Sequence, residues 1–379
     1  MKYAIIDIEC TGATNDTIGN PFSINNQLVL FGIRTGGENF FYPVAQTFWY
    51  KGIPDVTFVG ANIKFDLHWL RRYNRPIPKK IWDVLYAQYV IWRQKASYVS
   101  LNDCLEEYGY PPKIDVVKNE YWDKGIDTDE VPMDILKEYL AGDLEKTEQV
   151  YLAQLNYLAD KPELYRLILL AMEDHLVTLE MEWNGLLYNI EASLHEGRKV
   201  EQTIEEIDAE LKHISGVGDA FNFGSPAQLS ALLFGGVVKE KYRESYERVL
   251  VSGKVKVRDR WATREVSLPA LTKPIKGTEG ADEGTFSVAE AVLVKLSQTG
   301  NKKVRAICSL LLKRAGLKKL RDSYLEGLPK LYHKMGWQNS ILHGTLNHGI
   351  TRTSRIASSK PNQQNIPDEI RKYIETRYR

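Results

Sequence analysis

Three short patterns set acids where they could share a cation. Asp7 and Glu9 stand two residues apart in the run Tyr3-Ala4-Ile5-Ile6-Asp7-Ile8-Glu9. The run reads as an apolar strand, and side chains on a strand alternate faces, so both carboxylates point the same way. Two like charges on one face of a central strand are expensive unless a cation sits between them, and hard divalent cations such as magnesium take oxygen ligands of this kind. The second pattern is Asn62-Ile63-Lys64-Phe65-Asp66, in which Phe65 anchors the segment in the core and Asp66 opens a helix at the positive end of its dipole. The third is Tyr139-Leu140-Ala141-Gly142-Asp143, where a spacing of four brings the phenol and the carboxylate to one helix face. Gly142 costs a helix interior about 1 kcal/mol relative to alanine, which points to close packing or ligand approach. Taken singly, the three read as a solvated strand edge, an N-cap, and a surface tyrosine beside a surface aspartate.

The elements that must position these residues are legible in outline. Residues 1–9 read as a strand, as do Gln27–Arg34 and Glu38–Pro43 with Gly36-Gly37 as the hairpin turn, and the short Thr57–Val59. Asp66–Tyr73 reads as a helix, the chain is mostly helical from Asp83, and Pro132–Leu158 carries apolar residues at Leu136, Leu140 and Leu144. Strands followed by helices predict an α/β domain ending near residue 155. Helical patterns resume over Tyr165–Trp183, broken by Asn184-Gly185, then over Val200–His213, from Ser225-Pro226, and over Val288–Tyr332. Residues 236–285 differ. They are rich in Lys, Arg, Gly and Val, and Arg248–Val257 and Thr263–Leu268 alternate like exposed strands, so this reads as an insertion bearing a hairpin.

In this order the three acidic patterns resemble the DEDDy branch of the DnaQ-like 3′→5′ exonucleases, over about residues 1–155. The first strand of that family carries Asp-x-Glu, here Asp7 and Glu9. Its second motif is Asn-x-x-x-Phe-Asp, here Asn62 to Asp66, and its third Tyr-x-x-x-Asp, here Tyr139 and Asp143. The resemblance implies an RNase H-like fold, a mixed sheet flanked by helices. It implies two magnesium ions, with manganese able to replace them. Asp7, Glu9 and Asp143 would hold one, and Asp7, with Asp66 through water, the other. Tyr139 would orient the attacking water, and Asn62 and Phe65 would contact the single-stranded 3′ end.

Residues 165–379 resemble the family A DNA polymerases. Leu179 to Gly185, the segment from Phe221 to Leu229, and Lys318-Lys319-Leu320 with Tyr324-Leu325 and Gly327-Leu328 are similar to the thumb. Thr353 to Ile356, Ser358-Ser359 and Pro361-Asn362-Gln363-Gln364-Asn365-Ile366-Pro367 are similar to the start of the palm, with mild departures at Ser354, Ala357 and Gln364. The expected division is therefore 1–155 exonuclease, 156–345 a mainly helical thumb with insertion 236–285, and 346–379 the first part of a palm. No acid lies between Asn301 and Leu320, a stretch holding Lys313, Arg314, Lys318 and Lys319, so a polyanion is the natural partner. Arg352, Arg355, Ser358, Asn362 and Gln363 offer donors to a primer-template. The family's polymerase carboxylates are not in the sequence, which leaves two expectations: a shortened piece of a longer chain, or, as the favoured one, a second chain carrying palm and fingers in the manner of a split phage polymerase.

Composition agrees with this reading. Net charge is +1, yet residues 1–160 hold 16 Lys+Arg against 22 Asp+Glu (−6) and the remainder 34 against 27 (+7), an acidic part for metal and a basic part for phosphate. Cys10, Cys104 and Cys308 follow no zinc or redox spacing and read as reduced buried thiols, fitting a cytoplasmic setting. No apolar run predicts a membrane span. Glu173, Asp174, Glu180 and Glu182 read as a solvated helix face. Two rival functions fit less well: a non-catalytic DNA-binding or clamp subunit, which an intact set of five site residues speaks against, and an RNA-trimming nuclease, which the polymerase-like second half speaks against.

Overall fold

In the computed structural model, which describes residues 2–15, 17, 19–44, 55–249, 254–280 and 284–376, the strand bearing Asp7 and Glu9 lies at the centre of a five-stranded mixed sheet. In chain order the elements begin β1 (Tyr3–Cys10), β2 (Leu28–Thr35), β3 (Glu38–Pro43), β4 (Thr57–Gly60), α1 (Ile63–Arg72), β5 (Ile81–Asp83), α2 (Val84–Ile91), α3 (Leu101–Glu107), α4 (Val116–Glu120), α5 (Met133–Leu158), α6 (Pro162–Asn184) and β6 (Leu186–Tyr188). They continue α7 (Ile190–Ser215), α8 (Pro226–Phe234), β7 (Gly236–Val249), β8 (Val255–Leu268), α9 (Glu290–Thr299), α10 (Lys302–Leu320), α11 (Gly327–Lys334), β9 (Ile341–Leu342), β10 (Thr345–Asn347), β11 (Ala357–Ser359), α12 (Asp368–Arg371) and β12 (Ile374–Glu375).

The chain divides into two compact units, residues 1–192 with 328–379, and residues 193–327. In the first, the sheet order is β3-β2-β1-β4-β5, with β1 antiparallel to β2 and parallel to β4. The expected strands are all present, and the three-residue β5 is an addition. The expected division at residue 155 falls inside α5. Ile168, Met172 and Leu179 of α6 share one apolar core with Ile5, Phe58, Trp69 and Leu140, which is why packing carries this unit on to residue 192. Residues 328–379 belong to the same unit, so the expected break at 345 is not one of packing. Two small sheets, β12-β6-β9 and β10-β11, lie in this unit as well.

The second unit has its own core, built on Leu211, Phe221, Leu233, Val304, Ile307 and Cys308. Ser225 caps α8 by accepting from the Gln228 N–H at 3.5 Å, and Pro226 follows as the first helical residue. The expected helix Val288–Tyr332 is interrupted. Asn301 caps α10, its side chain accepting from the Val304 N–H at 2.9 Å, and a π-helical turn occupies Arg321–Leu325. The hairpin expected within 236–285 is β7 and β8, paired from Gly236 with Leu268 to Val249 with Val255. Of the expected single strand Arg248–Val257, Arg248 and Val249 end β7 and Val255–Val257 begin β8. Its residues 250–253, together with 281–283 of the insertion and 377–379 of the palm-like segment, lie outside the described residues. The three cysteines are free. Among the described residues no helix is long and apolar enough to cross a membrane.

Candidate active site

Strand β1 pairs Asp7 with Gly32 and Glu9 with Leu30 of β2, before a bulge at Glu9/Cys10. Directly opposed residues of antiparallel strands send their side chains to the same side. A Cβ on Gly32 would lie 2.9 Å from Leu140 Cδ2 and from Leu144 Cδ1, so the side of the sheet that Asp7 faces is the side covered by α5. The missing side chain at 32 lets α5 settle onto β1 and β2, and it sets how near Tyr139 and Asp143 come to the strand. The chain leaving β1 is held by Asp127, whose carboxylate accepts from the Gly12 N–H at 2.8 Å and the Ala13 N–H at 3.2 Å.

Helix α1 supplies the fourth acid. It starts at Ile63, earlier than expected, so Asp66 sits within its first turn and does not cap it. Asn62 precedes it in the left-handed region (φ 59°). Asp83, at the end of β5, accepts from the Ile63 N–H at 3.1 Å with one oxygen and from the Leu85 N–H at 2.9 Å with the other, tying α1 and α2 to the sheet.

Glu9, Asp66 and Asp143 are buried and Asp7 is half-buried. Burial and then the Asp143 charge push Asp7 up to about 7. Burial, followed by Asp7 and Asp143, raises Glu9 well above the carboxylate range, and burial followed by Asp7 does the same for Asp66. Burial pushes Asp143 up to about 6, against the pull of Lys113. Tyr139 is raised by burial and then by Asp143, so its phenol stays protonated at neutral pH. Asp7 thus feels Asp143, Glu9 feels Asp7 and Asp143, Tyr139 feels Asp143 and Glu9, and Asp66 feels Asp7 and Glu9, in a setting that disfavours unneutralised anions.

The compensating cation is Lys113, which no sequence pattern singles out. Its ammonium donates to Asp143 Oδ2 at 2.6 Å, lies 3.3 Å from Asp115 Oδ1, and stands 4.4 Å from the centre of the Tyr139 ring. The Tyr139 hydroxyl donates to Asp115 Oδ1 at 3.3 Å. Burial works against a charged Lys113, but Asp143 and Tyr139 outweigh it and hold the amine above its usual range. As they stand, no three Asp, Glu, His or Cys side chains among the described residues are grouped to hold a metal ion. The donor chemistry nevertheless fits one: four mutually repelling carboxylates, with one ammonium already drawn in, match the oxygen preference of magnesium.

Two clefts flank the set. One, of about 530 Å³, is lined by Lys113, Tyr139, Gly142 and Asp143. A Cβ on Gly142 would meet nothing within 4 Å, so of the two roles expected for this glycine, close packing is excluded and approach to the cleft remains. The other, of about 400 Å³, lies against Glu9 and is walled by Ile8, Phe65 and Trp122.

The expected DNA contacts divide. Lys313, Lys318, Lys319, Arg352 and Arg355 are exposed, as is Asn62. Arg314 is not available: its guanidinium is engaged with Asp208 on α7, Nε to Oδ1 at 2.5 Å and Nη2 to Oδ2 at 3.0 Å. Ser358 is buried, donating to the Pro361 carbonyl at 3.2 Å and accepting from the Gln363 N–H at 3.0 Å, so it shapes its loop. Asn362 is exposed but accepts from the Gln364 N–H at 3.2 Å, and Gln363 is half-buried. The acidic helix face is also corrected. Glu182 is 3 % exposed, bonded at 2.7 Å to both Lys64 and His68 and accepting from the Leu346 N–H at 2.5 Å. Glu173, Asp174 and Glu180 are exposed as expected.

Residues 263–379 match the family model for DNA polymerase family A. The chain is 24% identical over 325 residues to DNA polymerase I of Synechocystis sp., covering 82% of this chain and 27% of that protein. It is 23% identical over 287 residues to DNA polymerase I of Bacillus subtilis, covering 75% and 27%. Over 103 residues, 27% of this chain and 11% of the relative, it is 36% identical to the thermostable DNA polymerase I of Thermus thermophilus. The chain spans about a quarter of the length of the first two. Its fold is similar to that of the POL domain of Pol1 from M. smegmatis, solved in complex with DNA primer-template and dNTP: TM-score 0.66 at 15% identity, covering 98% of this chain and 54% of that one.

Proposed function

Starting from the relation of this chain to the family A DNA polymerases, we propose that it is a 3′→5′ exonuclease that hydrolyses DNA from the 3′ end, an editing activity within DNA replication. The observation that carries the reading is that Asp7 and Glu9 stand on the face of β1 that α5, the helix of Tyr139 and Asp143, covers, with Asp66 of α1 near enough to Asp7 and Glu9 to feel their charge. The mixed sheet flanked by helices supports the RNase H-like form of such a nuclease, and tyrosine at position 139 its DEDDy branch.

The carboxylates would hold magnesium, Asp7, Glu9 and Asp143 one ion and Asp7 with Asp66 the other. Bound there, the pair would supply an activated water and neutralise the leaving 3′ oxygen. The chain's own residues do the rest. Tyr139, protonated at neutral pH, orients water by hydrogen bonding and does not take its proton. Lys113 keeps Asp143 and Asp115 in place between substrates. The apolar cleft beside Glu9 offers Phe65 and Trp122 as stacking walls for a terminal base. Water adds to the terminal phosphorus and gives up a proton to solvent, the P–O3′ bond breaks, the 3′ oxygen of the shortened strand takes a proton from solvent, and a nucleoside 5′-monophosphate leaves.

The test is trimming of a 3′-extended, 5′-labelled single strand in magnesium. Asp7→Ala should slow it by roughly 100-fold or more, the scale of a lost metal ligand. Trimming at the wild-type rate refutes the proposal. Lys113 seated on Asp143, with no metal-ready trio among the described residues, favours one rival, a DNA-gripping subunit without hydrolysis. That rival predicts no magnesium-dependent trimming by the wild-type chain at all.

A further inference from the structure

We propose that one face of the β7–β8 hairpin is a binding surface for the phosphate backbone of duplex DNA. The proposal rests on the DNA reading above only for the class of ligand. The hairpin is a ribbon of 14 residues per strand, about 45 Å long at ~3.4 Å per residue. Opposed residues share a face, so the register sorts its outer part, from Lys241 opposite Thr263 to Val249 opposite Val255, into two sides. One side carries four cations, Arg248, Lys256, Arg258 and Arg260, against the single anion Glu244, a net +3. The other carries Lys241 and Arg243 against Glu247 and Asp259, a net of zero. A charged ribbon that merely needed solubility would not segregate its charge by face.

The two sides also differ in how their charges are used. On the neutral side Asp259 takes Arg243 at 3.9 Å and the Ser245 hydroxyl at 2.7 Å. On the basic side Arg248, Lys256 and Arg258 are exposed and make no ion pair among the described residues. Arg260, bonded to Glu244 at 2.9 Å, lies 5.2 Å from the centre of the Tyr246 ring, and Arg264, one step inward, 5.7 Å from that of Tyr242. Ring contacts of this kind restrain a guanidinium, which lowers the entropy cost of meeting an anion.

A row of cations suits a row of phosphates. Lys256, Arg258 and Arg260 succeed one another at about 6.8 Å, two residues of ~3.4 Å, and each strand of duplex DNA presents a phosphate for every ~3.4 Å of its axis, so each cation can meet one. A two-stranded ribbon is also narrow enough to lie in the major groove. Arginine, three of the four cations, binds phosphate through paired N–H donors.

The experiment is a salt titration of binding to a labelled blunt duplex, read by fluorescence anisotropy in chelator. No hydrolysis occurs there, so failure of the nuclease reading leaves the measurement intact. Replacing all four basic-side cations by alanine (R248A, K256A, R258A, R260A) should make the slope of log K against log salt shallower by about 3 to 4, at ~0.9 for each phosphate no longer neutralised. The neutral-side control K241A, R243A should change it by less than about 1. The smaller variant K256E, R258E should weaken low-salt binding by about tenfold or more. Equal slope changes in the two alanine variants, or wild-type binding by both basic-side variants as expected of a hairpin that serves a protein partner, would overturn the proposal.

Discussion

Replacing Asp7 by asparagine removes one charge and almost no volume, and it should make the chain more stable while stopping the proposed trimming. Asp7 is held at about 7 in the folded protein, against an ordinary carboxylate value near 3.8. About three pKa units at 1.36 kcal/mol each give a ceiling of about 4 kcal/mol opposing the ionised form at pH 8. Asp7 shares its repulsion with Asp143, so about 2 kcal/mol is the expected gain from one neutralisation. For a unit of this size a change of 1 kcal/mol moves Tm by roughly 2–4 °C, so Asp7→Asn should melt about 4–8 °C above wild type at pH 8 in chelator. The sign follows from linkage. The folded state binds the Asp7 proton more tightly than the unfolded state, so this group's contribution is complete below about pH 4 and is lost as pH rises through about 7. Wild type should therefore gain stability as pH falls through about 7 where the variant does not, and the melting gap between the two should close by about pH 4. Magnesium should raise the wild-type Tm more than that of the variant. Thermal melts by circular dichroism from pH 4 to 8, with and without magnesium, decide it. A variant that melts below wild type at pH 8 in chelator would refute the electrostatic account.

Lys113→Met should cost about 1.5–3 kcal/mol in chelator, the worth of a hydrogen bond to a charged group, and less in saturating magnesium; equal losses in both would mean Lys113 does not stand in for a cation. Glu182→Gln leaves Lys64 buried and without its anion, and should destabilise by about 3–5 kcal/mol in a denaturant titration; a loss below about 1 kcal/mol would contradict the burial. Gly32→Ala forces a methyl to within 2.9 Å of Leu140 and Leu144, so α5 must shift; about 1–3 kcal/mol and a trimming rate that falls with it are expected, and an unchanged rate would separate α5 from the site.

The candidate residues Asp7, Glu9, Tyr139 and Asp143 stand out in the sequence because local periodicity aligns them. Period two aligned Asp7 with Glu9, and a spacing of four aligned Tyr139 with Asp143. Lys113 carried no such signal. It follows Pro111-Pro112 in a loop, and its partner Asp143 is 30 residues on. Glu182 misled for the same reason: on its own helix it belongs to an acidic group, and its burial comes from Lys64, 118 residues earlier, and from Leu346. Arg314 was read as a phosphate ligand because its neighbours in sequence are basic, while Asp208 reaches it from another helix. Alternation revealed the hairpin but not its turn, since Arg248 to Val257 keeps the same pattern on both sides of the reversal.

Glu182 binds three parts of the chain at once: Lys64 and His68 on α1, and through Leu346 the strand β10, while itself belonging to α6. Lys64 is two positions from Asp66 on the same helix. One sequestered acid therefore moors the helix of an acidic site residue and the palm-like tail to a common post. Loss of the Glu182 carboxylate would therefore free α1 and β10 together, where a change at exposed Arg352 or Asn362 would free neither.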